Sequence, residues 1–171
     1  MGSLSFLFVH INKFRIEKFE KILQNRRKET RNEEENEMDN CIFCKIANGE
    51  IPSATLYEDE DFRVILDLGP ASKGHALILP KTHAANIYEL SDELAAKAMI
   101  LAKKMAKKMT DGLKCDGFNI VQNNGETAGQ TVFHFHMHLI PRYQGDGVGL
   151  TWKPGKLSDE DRDEILKKLN A

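Results

Sequence analysis

The sequence predicts a mixed fold of short strands and two helices, and three features predict it. Short apolar segments bounded by turn residues recur from Ala54 to Tyr143, one long amphipathic stretch near residues 91–111 interrupts them, and a second short helical pattern closes the chain. At 171 residues with 41% hydrophobic and 29% charged residues, the chain supports one domain with a sizeable core. A net charge of −2 argues against a nucleic-acid binder, and no apolar run approaches the ~20 residues that span a bilayer. Three cysteines, an odd count, point to a reducing and cytoplasmic setting, not to a disulfide scaffold.

Residues 1–38 are unlike the rest. Leu4 to Val9 form a short apolar patch without the flanks of a signal peptide, and Ile16, Phe19, Ile22 and Leu23 fall at helical spacing. Arg26 to Glu37 are almost wholly charged or polar, and Met38 precedes a more globular pattern. The segment is read as an N-terminal extension, flexible or arising from a mis-assigned start, ahead of a domain at 39–171.

Cys41 and Cys44 form a Cys-x-x-Cys pair, a spacing that lets two thiolates meet one zinc if two further ligands arrive from elsewhere. A redox dithiol usually opens a helix after a strand, a setting the surrounding sequence does not suggest. Strands are expected at Ala54–Tyr57 and Phe62–Leu66, separated by an acidic turn, and at His75–Pro80, with His83 just beyond. Ser91 N-caps the long helix, Asp92 and Glu93 suit its dipole, and Leu94, Ala98, Leu101, Ala102, Met105 and Met109 make its apolar stripe. That helix should end at Asp111–Gly112, with Cys115 a packing residue. A strand at Phe118–Gln122 leads into a loop, Asn123 to Gln130, whose glycines and small polar residues suit either an anion nest or an ordinary connection. Beyond Arg142, Ser158 and Asp161 set up a capped helix with Ile165, Leu166 and Leu169 facing inward.

Thr131 to Tyr143 is the most informative stretch. His134, His136 and His138 sit two residues apart with Phe133, Phe135, Met137 and Leu139 in the gaps. On a β-strand the three imidazoles share one face and the apolar set the other. Three such polar rings on one face point either to a metal site or to a nucleophile flanked by phosphate-binding imidazoles.

His134-Phe-His-Met-His-Leu-Ile140 resembles the signature of the HIT (histidine triad) family of nucleotide hydrolases and transferases, and the likeness extends to Cys41–Ile51, His75–His83 and Gly129-Gln-Thr131. The resemblance implies an α+β fold, a sheet of about five antiparallel strands in a meander with one long helix and a C-terminal helix, and a homodimer. It implies a purine nucleotide substrate, attacked at its α-phosphorus by His136 through a covalent nucleotidyl-histidine. Gly129, Gln130, Thr131 and His138 match phosphate-contacting positions; Asp67, Leu68 and Asn123 match the nucleoside side; Phe43, Ile46 and Ile51 match the base pocket. Cys41, Cys44, His83 and His134 match a structural zinc site found in Hint-like bacterial members. The implied activity is that of a nucleoside phosphoramidase. Pro141-Arg142 after the triad is similar to the diadenosine polyphosphate hydrolases, and a non-catalytic zinc-stabilised nucleotide-binding protein is the remaining alternative.

Overall fold

The computed structural model describes residues 40–170 together with Leu23, Gln24, Arg26 and Lys28, which are helical. The expectations for the extension at 1–38 otherwise lie outside the described residues. A short helix α1 (Ile42–Ala47) precedes strands β1 (Thr55–Glu58), β2 (Phe62–Leu66) and β3 (Ala76–Pro80); helix α2 (Asp92–Leu113), strands β4 (Gly117–Val121) and β5 (Met137–Arg142) and helix α3 (Asp159–Leu169) follow. The five strands form one antiparallel sheet in the order β1-β2-β3-β5-β4. The meander is broken once: α2 carries the chain across the sheet, so β4 takes the edge and β5 returns inside to pair with β3 and β4 alike.

The two faces of the sheet have different occupants. Period-two alternation sends Phe62, Val64, Ala76, Ile78, Met137 and Leu139 to one side, where they bury against Ala98, Leu101, Ala102, Met105 and Met109 of α2. The stripe expected from the sequence is therefore the buried face of α2, and Ser91 Oγ caps it by accepting from the Leu94 N–H. The helix runs past Gly112, and Lys114 at φ 55° makes the left-handed cap instead. Cys115 is buried, as expected of a packing residue.

The opposite face holds a smaller cluster of Ala47, Ile65, Leu77 and Leu79, against which Phe43 and Ile46 of α1 pack. Arg63 fastens α1 there, donating from Nη1 to the Ile46 carbonyl at 3.1 Å and from Nη2 to both oxygens of Glu58 at 2.8 Å. Gly49, at φ +85°, lets this guanidinium pass, since a Cβ there would stand 3.1 Å from Nη2.

Two further expectations change. The histidine stretch is not one continuous strand, because β5 begins only at Met137; His134 to His136 run as a bent approach held by the Phe135 N–H on the Ala84 carbonyl at 2.6 Å. Side-chain alternation nevertheless persists through it, with Phe135 in the α2-side core. And α3 does not turn Ile165, Leu166 and Leu169 inward: they are 46%, 52% and 79% exposed. Its helical periodicity and its Ser158 cap are as expected, but none of its residues is buried.

Candidate active site and metal centre

The site lies on the α1 face. Cys41 is the N-cap of α1 and Cys44 lies in its first turn, so one helical turn presents both thiols on the same side. Cys41 Sγ is 3.5 Å from His134 Nδ1, and Cys44 Sγ is 3.4 Å from the same atom and 3.2 Å from His83 Nδ1. All four ligand atoms lie within 4.8 Å of one another. Around a tetrahedral zinc, a sulfur and a nitrogen ligand stand about 3.5 Å apart, given Zn–S near 2.3 Å and Zn–N near 2.0 Å. The observed spacings suit that geometry. The tautomer suits it too: a carbonyl only accepts, so the His134 Nε2–H donates to Pro80 O at 3.0 Å and the lone pair on Nδ1 faces the sulfurs. Burial pulls the His134 pKa down to about 4, against the pull of the Pro80 carbonyl, so this ring is neutral and fit to ligate. Burial and the neighbouring Cys41 push the Cys44 thiol up to about 12, and a bound cation would reverse that by taking the thiolate.

His136 begins where His134 ends. Its Nδ1–H donates to the His134 carbonyl at 2.7 Å, which leaves Nε2 with the lone pair. The ring is 5% exposed and stands edge-to-face with Phe43, centroids 5.1 Å apart. Residue 134 thus turns its ring to the cysteine pair and its carbonyl to the next imidazole.

His138, on β5, is tied to a residue not expected in the site, His75. The Ala71 N–H donates to His75 Nδ1 at 3.0 Å, so the His75 proton is on Nε2, where it donates to His138 Nδ1 at 2.9 Å. The remaining His138 proton is then on Nε2, on a ring whose centroid is 5.0 Å from that of His136. Burial, with His136 and His75 nearby, pulls the His138 pKa down to about 4 despite Asp67, and burial likewise lowers that of His75. Asp67 Oδ2 is 3.7 Å from His75 Nε2. Asp67, His75 and His138 are close enough to hold a metal ion, but the Ala71 N–H forces a proton onto His75 Nε2, and a protonated nitrogen cannot ligate. That cluster is a hydrogen-bond relay. The signal for His75 was present in the sequence: the β2–β3 hairpin sets it beside Asp67, whose N–H donates to the His75 carbonyl at 3.0 Å.

The other expected residues divide into those near this row and those that shape it. Leu68 is 99% exposed beside Asp67. Asn123 lies against Gly129, whose φ is +89°. Gln130 is buried with its carboxamide spent inside the loop: Oε1 accepts from the Gly125 N–H at 2.8 Å, and Nε2 donates to Ala85 O and Val132 O at 2.6 and 3.0 Å. Thr131 is exposed on the wall of a groove of about 510 Å³ that also includes Cys41, His83, Val132 and Phe133. Ile51 is half-buried outside the Phe43–Ile46 cluster.

A five-stranded antiparallel sheet with three histidines at alternate positions on one face, the first of them in a Cys2His2 set, defines a histidine-triad protein. The HIT domain model matches residues 48–145. The protein called "Protein hit" from Bacillus subtilis is 48% identical over 134 residues, which is 78% of this chain and 91% of that one. The adenosine 5'-monophosphoramidase of Saccharomyces cerevisiae is 44% identical over 137 residues, covering 77% of this chain and 84% of its own. Among solved structures, a HIT family member from Bacillus subtilis superposes with a TM-score of 0.71 at 48% identity, covering 77% of this chain and 95% of that one. A zinc-bound histidine triad protein from Mycobacterium smegmatis does so with a TM-score of 0.63 at 35% identity, covering 78% and 97%. The chain belongs to the HIT family.

Proposed function

We propose that this protein is a nucleotide-binding hydrolase that attacks the α-phosphorus of purine nucleoside phosphoramidates through His136 and releases the nucleoside monophosphate. The observation that carries the reading is the 2.7 Å bond from His136 Nδ1–H to the His134 carbonyl, because it keeps the Nε2 lone pair free and aimed. Nε2 displaces the amine to form a nucleotidyl-histidine, and water then cleaves that bond and returns the imidazole. Donors must meet the charge on the phosphoryl oxygens; His138 Nε2–H, held by the His75 relay, is one, and Thr131 is proposed to supply another from a loop that Gly129 and Gln130 shape by donating their N–H groups to the Glu126 and Gly125 carbonyls. Phe43 provides an apolar wall for the base beside His136. Asp67, with Leu68 and Asn123, is assigned to the nucleoside side, its carboxylate accepting from ribose hydroxyls. The name of the yeast relative agrees with this substrate class.

The proposed occupant of Cys41, Cys44, His83 and His134 is structural zinc. It would clamp α1 to the end of β3 and to the residue whose carbonyl orients His136, and with four protein ligands it has no open position for chemistry. The protein is proposed to be cytoplasmic, and among the described residues no helix is long and apolar enough to cross a membrane. A homodimer is supported by the edge of β4, unpaired among the described residues, where Ile120 is exposed, and by exposed Met99 and Ile100 on α2 and Trp152 in the tail.

The diadenosine polyphosphate reading draws on Arg142, and the geometry weighs against it. That guanidinium is committed to Asp146 through two bonds of 2.8 and 2.9 Å, to Asn119 Oδ1 at 2.7 Å and to the Val148 carbonyl at 2.8 Å. Mass spectrometry of protein quenched during turnover of an adenosine phosphoramidate tests the leading reading. One adenylyl group on His136, absent from His136→Asn, is expected. Turnover at background in the parent, with nucleotide still bound, would instead identify a non-catalytic binding protein.

A further inference from the structure

We propose that Cys41 and Cys44 form a peroxide-sensitive modification site, whose oxidation to a disulfide discharges the metal and unseats His136. The inference rests on the reading of His136 as nucleophile and extends it to regulation of the same site. Three observations carry it.

The first is the reach between the thiols. Cys41 caps α1 and Cys44 follows one turn later, with the Cys44 N–H 3.5 Å from Cys41 Sγ and the two sulfurs within 4.8 Å. Side chains three residues apart on a helix have Cβ atoms about 5–6 Å apart, whereas a disulfide needs about 3.5–4.5 Å. Closure therefore draws the first turn of α1 together by about 1–2 Å, a local shift of backbone and side chains with no long transport of chain.

The second is access. Cys41 is half-buried on the wall of the groove lined by His83, Ala85, Thr131, Val132 and Phe133, whereas Cys44 is 3% exposed. A small oxidant reaches Cys41 first. The Cys41 thiolate attacks one peroxide oxygen, the O–O bond breaks, and hydroxide leaves with formation of a sulfenic acid. The Cys44 thiolate then attacks that sulfur and displaces a second hydroxide. The two sulfurs give up two electrons, the peroxide accepts them to become two waters once two protons are added, and the divalent ion departs with its charge unchanged.

The third is the link to the nucleophile. His134 gives Nδ1 to the two sulfurs and its carbonyl to His136, so whatever releases its ring frees the anchor of the His136 proton. Phe43 lies between the two cysteines in sequence and touches both rings, its centroid 6.0 Å from that of His134 and 5.1 Å from that of His136. Pulling Cys41 and Cys44 together turns the segment that carries Phe43. Misplacing a reacting group by about 1 Å costs roughly 10²-fold in rate.

The test is titration of the zinc-loaded full-length protein with hydrogen peroxide. Zinc release is followed with a chromogenic chelator, Cys41–Cys44 linkage by peptide mass, His136 imidazole nitrogens by NMR, and turnover of an adenosine phosphoramidate. Zinc release, disulfide formation, a change at the His136 nitrogens and a roughly 10- to 100-fold loss of kcat/KM should share one rate constant, and dithiothreitol with zinc should restore them. The Cys115→Ser variant should behave as the parent does. An unchanged His136 spectrum after zinc has left refutes the link, and so does global loss of the fold, read by circular dichroism. Isolated sulfinic acids without a disulfide refute the thiol chemistry. Absence of turnover before oxidation overturns the hydrolase reading alone, because the metal, mass and NMR readouts still decide the switch.

Discussion

Replacing His75 with alanine tests the relay that sets the tautomer of His138. His75 contributes one partly buried 2.9 Å hydrogen bond to His138 Nδ1 and is itself fixed by the Ala71 N–H. Without it, His138 Nδ1 is an unsatisfied acceptor in a half-buried setting, at a cost of about 1–3 kcal/mol. The ring recovers part of that by moving its proton to Nδ1, which removes the Nε2–H from the side facing His136. The loss falls where charge develops on phosphorus, so kcat should drop about 5- to 150-fold, the equivalent of 1–3 kcal/mol, with KM changing far less. His75→Gln keeps an N–H donor at similar reach and should recover part of the rate. Zinc content should not move, because the relay and the Cys2His2 set share no side chain. Steady-state kinetics on an adenosine phosphoramidate, with metal analysis of each variant, measures this. A kcat within threefold of the parent in a folded, zinc-loaded His75→Ala would refute the relay.

Cys44→Ala should lose zinc binding and, in a zinc-containing buffer at a hundred times the Kd, about 2.7 kcal/mol of stability, read as a fall in Tm that chelation reproduces in the parent. Because the Cys44 thiol is held up to about 12, metal uptake should release protons and tighten as pH rises, which calorimetry in buffers of different ionisation enthalpy detects. In metal-free protein the folded His134 and His138 values near 4 lie below the ordinary value of 6.5, so the unfolded chain binds more protons between those limits. Their contribution is fully present above pH 6.5 and lost as pH falls toward 4, each histidine adding a slope of up to about 1.4 kcal/mol per pH unit in denaturant titrations. Gly74→Ala should cost about 1–3 kcal/mol, more than Gly125→Ala: both have positive φ, but only at Gly74 does a Cβ meet a neighbour, Leu113 Cδ1 at 2.5 Å.

The sequence by itself determined the elements with strong periodicity and the alternating faces of the histidine row. The α2 stripe from Ala98 to Met109 and the alternation from Phe135 to Leu139 are local patterns, and burial follows a local pattern wherever one face has a single destination. Tertiary structure decided what depends on meetings between distant segments. Which nitrogen of each histidine bears the proton is fixed by Pro80, by the His134 carbonyl and by the Ala71–His75 chain, none of which residue spacing reveals. The bond from Arg142 to Asn119 depends on β4 and β5 pairing at the sheet edge. The exposure of Ile165, Leu166 and Leu169 shows the converse, for an amphipathic pattern specifies that a face can be buried and not what will bury it. The three histidines are alike in sequence and differ in the fold because each ring's second nitrogen meets a different partner.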